Sequence, residues 1–284
     1  MNNIVFGDCL NALPTIPDKS IRLIYVDPPF NTGKIQRLDR IKTTVSDNGD
    51  RVGFGNKSYD TQKIGSVGSY EDSFDDFEGF LMPRIEASLR CLTDDGSIFI
   101  HLDQRECHYI KVAMDKLLGR NRYIQQLIWA FDFGGRSKKK WAVKHNVILW
   151  YAMNPKKYIF NYSDMDRIPY LAPGLCGKEK AERGKTPTDT QFITVCPTNG
   201  SERTGYPTQK PRKLLDRIVK IHSMPNDTVL DFFAGSGTTG EAAAANGRQF
   251  VMIDKNPEAI EVMKKRLLPF NPELINLIDP IASH

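Results

Sequence analysis

Thr228-Val229-Leu230-Asp231-Phe232-Phe233-Ala234-Gly235-Ser236-Gly237-Thr238-Thr239-Gly240 decides how the chain is read. Residues 228–232, with Val229, Leu230 and Phe232, are a short stretch before glycine-rich sequence, which predicts a strand. The glycine-rich segment predicts a strand-to-helix turn, followed by a helix over 241–245 and a second strand over 249–253 that ends in Asp254. This βαβ unit implies an open α/β sheet covered by helices. In such sheets ligands bind outside the carboxyl ends of the strands, where glycines let backbone come close and a helix N-terminus attracts negative charge.

An acid ending the second strand suits ribose hydroxyls, and Asp254 fits that role. The turn is not G-x-G-x-x-G, and no Gly-Lys-Ser/Thr closes it, which weighs against a dinucleotide fingerprint and a P-loop. A carboxylate at Asp231 would repel a pyrophosphate but can receive an ammonium group. A nucleoside-containing cofactor is expected, with NAD and S-adenosylmethionine both open on these residues alone.

Working outward, the apolar run 21–26 predicts another buried strand, stopped by the prolines of Asp27-Pro28-Pro29-Phe30. A carboxylate and a ring are thereby left at a strand's carboxyl end. Residues 4–6 predict a short strand before Gly7-Asp8-Cys9, so Asp8 also stands at a strand end. Phe77, Leu81, Ile85, Leu89 and Leu92 share one helix face. Residues 97–102 predict a strand, and Asp103 and Glu106 have capping-box spacing before a helix that Gly119 can end. Strands are expected over 123–131 and 146–152. Thr208-Gln209-Lys210-Pro211 opens a helix that buries Leu214, Leu215, Ile218 and Val219, with His222 decorating its end. Asn256 and Pro257 cap a last helix.

Two stretches lack periodicity. The polar segment 34–69, with Lys34, Arg37, Arg40, Lys42, Arg51, Lys57 and Lys63, is expected as a long mobile loop able to cover substrate. Residues 154–206 are expected as a small inserted recognition region. The predicted organisation is therefore a catalytic half over 1–153, the insert over 154–206, and a cofactor-binding half over 207–284.

With 284 residues, 40% hydrophobic and 26% charged, the chain fits one large α/β domain with insertions. No apolar run reaches membrane-spanning length and no secretory signal is visible, so a cytoplasmic location is expected. Five widely spaced cysteines and five unpaired histidines predict neither a disulfide framework nor a metal site. The net charge of +5 is unevenly spread: residues 134–213 carry 16 Lys and Arg against 6 Asp and Glu, which leaves the rest at -5. Interleaved with Trp141, Tyr151, Tyr158, Tyr162, Tyr170 and Tyr206, that block suits a phosphate backbone and exposed bases.

Asp27-Pro28-Pro29-Phe30-Asn31, the 233–239 turn, Gly7-Asp8-Cys9 and Thr208-Gln209-Lys210-Pro211 together resemble the DNA amino-methyltransferases that use S-adenosylmethionine. The catalytic element precedes the cofactor turn, with the basic insert between them. That order resembles the β class, whose Rossmann-like, doubly wound mixed sheet is circularly permuted. The resemblance implies methyl transfer to the N6 amine of an adenine flipped from double-stranded DNA, with N4-cytosine methylation as the alternative and a non-catalytic nucleic-acid-binding protein as a remoter one. It implies that Asp27 and the Pro28 carbonyl accept from the amine while Phe30, in place of the more common Tyr, stacks on the base. Asp231, Phe233, Gly235, Ser236, Gly237 and Thr238 would hold the cofactor's methionine side, Asp254 its ribose, Asp8 its adenine, and Thr208 with Lys210 its carboxylate. A homodimer and a cognate restriction endonuclease are further expectations. Cys196-Pro197 reverses the order expected where a thiolate attacks cytosine, so Cys196 is read as structural.

Overall fold

A computed structural model of the protein describes residues 2–47, 49–52, 58–197 and 200–277. Nine strands form the main sheet: β1 (Asn2–Phe6), β2 (Ile21–Val26), β6 (Leu92–Leu102), β7 (Tyr123–Ala130), β8 (His145–Ala152), β9 (Thr190–Phe192), β10 (Thr228–Asp231), β11 (Gln249–Asp254) and β12 (Glu273–Asn276). Their spatial order is β12-β1-β11-β10-β2-β6-β8-β7-β9. The pairs from β12 to β6 are all parallel, whereas β8 runs antiparallel to both β6 and β7. The C-terminal unit, β10 and β11, thus lies between the N-terminal strands β2 and β1. That arrangement is the expected permuted, mixed, doubly wound sheet.

Side chains alternate across the sheet, so β2 supplies Ile24 and Val26 to one core and Leu23 and Tyr25 to the other. Helices α1 (Cys9–Ala12), α2 (Phe77–Leu89) and α3 (Cys107–Leu118) cover the first face with Leu81, Ile85, Ile110 and Met114. Helices α5 (Arg212–His222), α6 (Thr238–Ala245) and α7 (Pro257–Leu267) cover the second with Leu214, Ile218, Ala242, Ala243 and Met263. A short helix, α4 (Lys178–Arg183), lies between β8 and β9. Pro83 sits inside α2 without ending it. No helix among the described residues is long and apolar enough to cross a membrane.

Several expectations need correction. The stretch expected as an irregular loop is a strand pair: β3 (Lys34–Val45) runs antiparallel to β5 (Ser58–Asp72), with β4 (Arg51–Val52) on the other side of β5. Its backbone ladder makes the structure, and a ladder needs no apolar period in the sequence. The segment 154–206 is not wholly an insert, because β9 pairs with β7 and extends the main sheet. The capping box before α3 does not form: Glu106 makes no side-chain cap, and Asp103 Oδ1 instead accepts from Arg105 N at 2.8 Å. His222 is the last residue of α5, as expected, but it is buried rather than at the surface, packed at 4.4 Å between ring centroids against Trp150.

Candidate active site

β2 and β10 are neighbours, with Asp27 immediately after β2 and Asp231 the last residue of β10. A cleft of about 450 Å³ opens at that edge, a size that suits a small-molecule ligand. Of the predicted residues, Asp8, Asp27, Thr208, Lys210, Asp231, Phe233, Gly235, Thr238 and Asp254 line it. Pro28, Phe30, Ser236 and Gly237 do not.

The glycine turn is built by its carboxylates. Asp231 Oδ1 accepts from Phe233 N at 3.0 Å and its Oδ2 from the Thr239 hydroxyl at 2.6 Å. Burial pushes the Asp231 carboxyl up to about 7, although both hydrogen bonds oppose the rise. Asp254 accepts from Gly235 N and Asn256 N, each at 2.8 Å, and burial raises its carboxyl as well. Gly235 has a positive φ of 50°, and a Cβ there would stand 3.2 Å from Tyr206, so a side chain at this position would be strained and would crowd this wall of the cleft. Gly237, at φ 73°, serves packing instead: its Cβ would meet Met263 of α7 at 2.8 Å. Ser236 is likewise turned away, its hydroxyl accepting from Arg266 at 3.2 Å. Arg266 also donates to the Thr238 hydroxyl at 2.9 Å. Asp8 caps α1 through Leu10 N at 2.9 Å and pairs with Arg84 at 3.3 Å, and both residues line the cleft.

The second aspartate has a different environment. Lys210 donates to Asp27 Oδ2, while Asp27 Oδ1 is buried with no hydrogen-bond partner among the described residues. Burial raises the Asp27 carboxyl, and the adjacent ammonium pulls it back down. The Lys210 ammonium also lies 4.9 Å from the centre of the Phe30 ring. Gln209 positions this lysine by gripping the preceding segment: it accepts from Thr204 N and the Thr204 hydroxyl at 2.9 and 2.8 Å and donates to Glu202 O at 2.8 Å. The following residues are fixed from the other side. Asn31, at φ 53°, donates from its backbone to Asp72 at 2.7 Å and from its side chain to Glu106 at 2.9 Å. The strand pair is therefore rooted at the cleft, where Ser73 and Phe74 join the lining.

Sequence reasoning missed the group beneath Phe30. His101, fully buried on β6, lies 5.8 Å from the Phe30 ring between centroids. Its Nδ1 shares a 2.6 Å hydrogen bond with the Tyr25 hydroxyl and its Nε2 a 3.0 Å bond with the Asn146 amide. Burial, assisted by Lys210, drives its basicity well below the usual histidine range, so the ring is neutral. Asn146 Nδ2, as placed, donates to Nε2, which puts the ring proton on Nδ1 facing Tyr25. The available signal was a histidine interrupting an otherwise apolar run over 98–102. Cys196 is buried, with its thiol raised to about 12 by burial and by Glu202, which keeps it from acting as a nucleophile.

Fold and cleft together place a half-satisfied carboxylate beside a ligand-sized cleft at the carboxyl edge of an open α/β sheet. The model of the N6/N4 methyltransferase family, described as DNA methylase, matches residues 21–265, and the chain belongs to that family. It is 30% identical to the Type II methyltransferase M.HinfI of Haemophilus influenzae over 291 aligned residues, covering 96% of this chain and 70% of that protein. The DNA adenine methyltransferase YhdJ of Escherichia coli K12 is also 30% identical, over 93% of this chain and 82% of YhdJ. The crystal structure of the M1.HpyAVI–SAM complex shares the fold, with a TM-score of 0.60 at 21% identity across 94% of this chain and 99% of that one.

Proposed function

We propose that the chain transfers a methyl group from S-adenosylmethionine to the N6 amine of a flipped adenine in duplex DNA. The observation that carries this reading is the orphaned Asp27 Oδ1, an acceptor held at the cleft by an ammonium on its sibling oxygen. An exocyclic amine spreads its lone pair into the base, so it needs acceptors that draw its hydrogens toward tetrahedral geometry. Asp27 Oδ1 supplies one, and the Pro28 carbonyl is assigned the second. Phe30 is assigned to stack on the base, with its ring backed by His101 and Lys210.

The donor set of the cleft fits the cofactor. Asp231 offers a carboxylate to an ammonium group, Asp254 retains lone pairs for ribose hydroxyls, and Gly235 leaves space beside Tyr206. Asp8 takes the adenine end, while Thr208 and Phe233 flank the methionine end. Lys210, paired with Asp27, is assigned to the catalytic carboxylate as well as to the cofactor side. The bound sulfonium supplies an already activated methyl group, so the protein's contribution is positioning and electrostatics. The relative YhdJ, named a DNA adenine methyltransferase, favours adenine over the N4 amine of cytosine.

The reading extends to a cytoplasmic enzyme with a site-specific restriction-modification or epigenetic role. A homodimer and a cognate endonuclease are the partners it would have. The test is methyl transfer to unmethylated genomic DNA followed by nucleoside digestion and mass analysis. N6-methyladenine is expected; N4-methylcytosine would overturn the substrate, and no methylated base with the cofactor bound would overturn the activity.

A further inference from the structure

Residues 131–144 join the carboxyl end of β7 to the start of β8, above the paired residues Ala130 and His145. Phe131 N closes the loop by donating to Lys144 O at 2.8 Å. Inside it the Lys144 ammonium turns inward and donates to three successive carbonyls, those of Phe133, Gly134 at 3.0 Å and Gly135 at 3.1 Å. The Ser137 hydroxyl accepts from the amides of Lys139 and Lys140 at 3.1 and 3.3 Å. These bonds make a built platform on which Lys138, Lys139 and Lys140 stay exposed. Beside them Trp141 is 96% exposed. A single exposed aromatic is ordinary, but one flanked by three ammonium groups is complementary to stacked bases bounded by phosphates.

The loop also stands in the right place. β8 is antiparallel to β6, and β6 is parallel to β2, so the loop leaves the sheet at the same end as Asp27. In the order β2-β6-β8-β7, with strands about 4.8 Å apart, its two ends are rooted roughly 10–14 Å from the Asp27 element. A chain of ring contacts spans that gap: Phe131 to Trp129 at 4.9 Å, Trp129 to His101 at 5.5 Å, and His101 to Phe30 at 5.8 Å. The loop's root is therefore packed against the support of the proposed base-stacking ring.

We propose that this loop opens the duplex, with Trp141 stacking into the space vacated by the target adenine while Lys138, Lys139 and Lys140 hold flanking phosphates. The inference rests on the reading of the chain as a DNA adenine methyltransferase. Extruding a base sacrifices its stacking and pairing, and an indole in the gap restores stacking irrespective of sequence.

Trp141 can be followed directly, because the other two tryptophans, Trp129 and Trp150, are each only 3% exposed. Full-length protein is titrated with a fluorescein-labelled duplex carrying a site mapped from the genomic transfer experiment. Anisotropy reads binding, and acrylamide quenching of the indole reads Trp141. Quenching is expected to fall at least threefold in the complex. Trp141→Ala is expected to lower transfer at least tenfold on the matched duplex and to recover to within threefold of the parent protein when the target adenine faces an abasic site. An indole as quenchable in the complex as in the free protein overturns the proposal, as does equal activity of Trp141→Ala on the matched duplex or equal loss on both substrates. A parent protein that neither binds nor methylates the duplex overturns the functional reading instead.

Discussion

Two neighbouring strands of one sheet lead into the same residue type, Asp27 just after β2 and Asp231 at the end of β10, yet the two carboxylates are in opposite states. Asp231 has a hydrogen bond to each oxygen, both from its own glycine-turn unit. Asp27 has an ammonium on one oxygen and, among the described residues, no partner on the other. A satisfied buried carboxylate shapes a turn and can still attract a cation, whereas a half-satisfied one is poised to accept a new hydrogen. The missing bond therefore separates the proposed catalytic acid residue from the proposed binding one. Desolvation alone does not, since burial raises both carboxyls.

The sharpest way to break this contrast is Asp27→Ala. Transfer is expected to fall by about 10³-fold or more, in line with the loss of a preorganised transition-state partner, while cofactor affinity changes no more than threefold. Single-turnover kinetics beside calorimetric titration checks both halves, and retained turnover removes Asp27 from the chemistry. Asp254→Ala should do the reverse: cofactor affinity about 10- to 100-fold weaker from the loss of charge-assisted hydrogen bonds, with turnover at saturating cofactor less affected.

Lys210→Met probes the other side of the pair. Breaking a buried ion pair by removing one partner costs about 3 kcal/mol, and the loss of the ammonium that pulls the Asp27 carboxyl down lets it rise further. Turnover near neutral pH should fall and recover as pH rises, because the Asp27 carboxyl loses the charge that favours its ionised form. A pH profile unchanged in shape would deny Lys210 this role.

A pH titration distinguishes the two carboxylates without mutation. The Asp231 carboxyl sits at about 7 in the folded chain, so between the ordinary carboxylate range and 7 the native state binds a proton that the unfolded state has released. Stability of the ligand-free fold therefore declines as pH rises through that window, and affinity for a cationic cofactor group rises through it. Binding should be about tenfold weaker at pH 6 than at pH 8, one decade per unit below the pKa. Flat affinity over that range would leave Asp231 a purely architectural residue. The smallest effect is expected at the exposed Lys138-Lys139-Lys140 run. Changing all three to Gln should reduce the slope of log affinity against log salt by about 2–3, with both carboxylate readouts unmoved.

Local signals made much of this legible. Residues 21–26 are a mostly apolar run and 228–231 a short stretch with Val229 and Leu230, both of strand length, and the proline pair and glycine turn mark where they stop. Asp27, Asp231 and Asp254 were therefore readable as a group at one edge. The β3–β5 pair was not readable, because its order comes from backbone bonds between residues such as Arg37 and Ser69 rather than from side-chain periodicity. Ser236 and Gly237 belong to the right turn, but their orientation depends on Arg266 and Met263 of α7, which are about thirty residues further along the chain.

Sequence alone determined the βαβ class, the order of catalytic and cofactor elements, the basic block and the acids at strand ends, since strand burial and turn chemistry are written in neighbouring residues. Only the tertiary structure decided that Lys210 pairs with Asp27 across 183 positions, that His101, hydrogen-bonded to Tyr25, packs against Phe30, and that the 131–144 loop rises at the catalytic end. Those facts depend on strand order and direction, which bring residues distant in the chain within hydrogen-bond reach and leave no periodic trace along it.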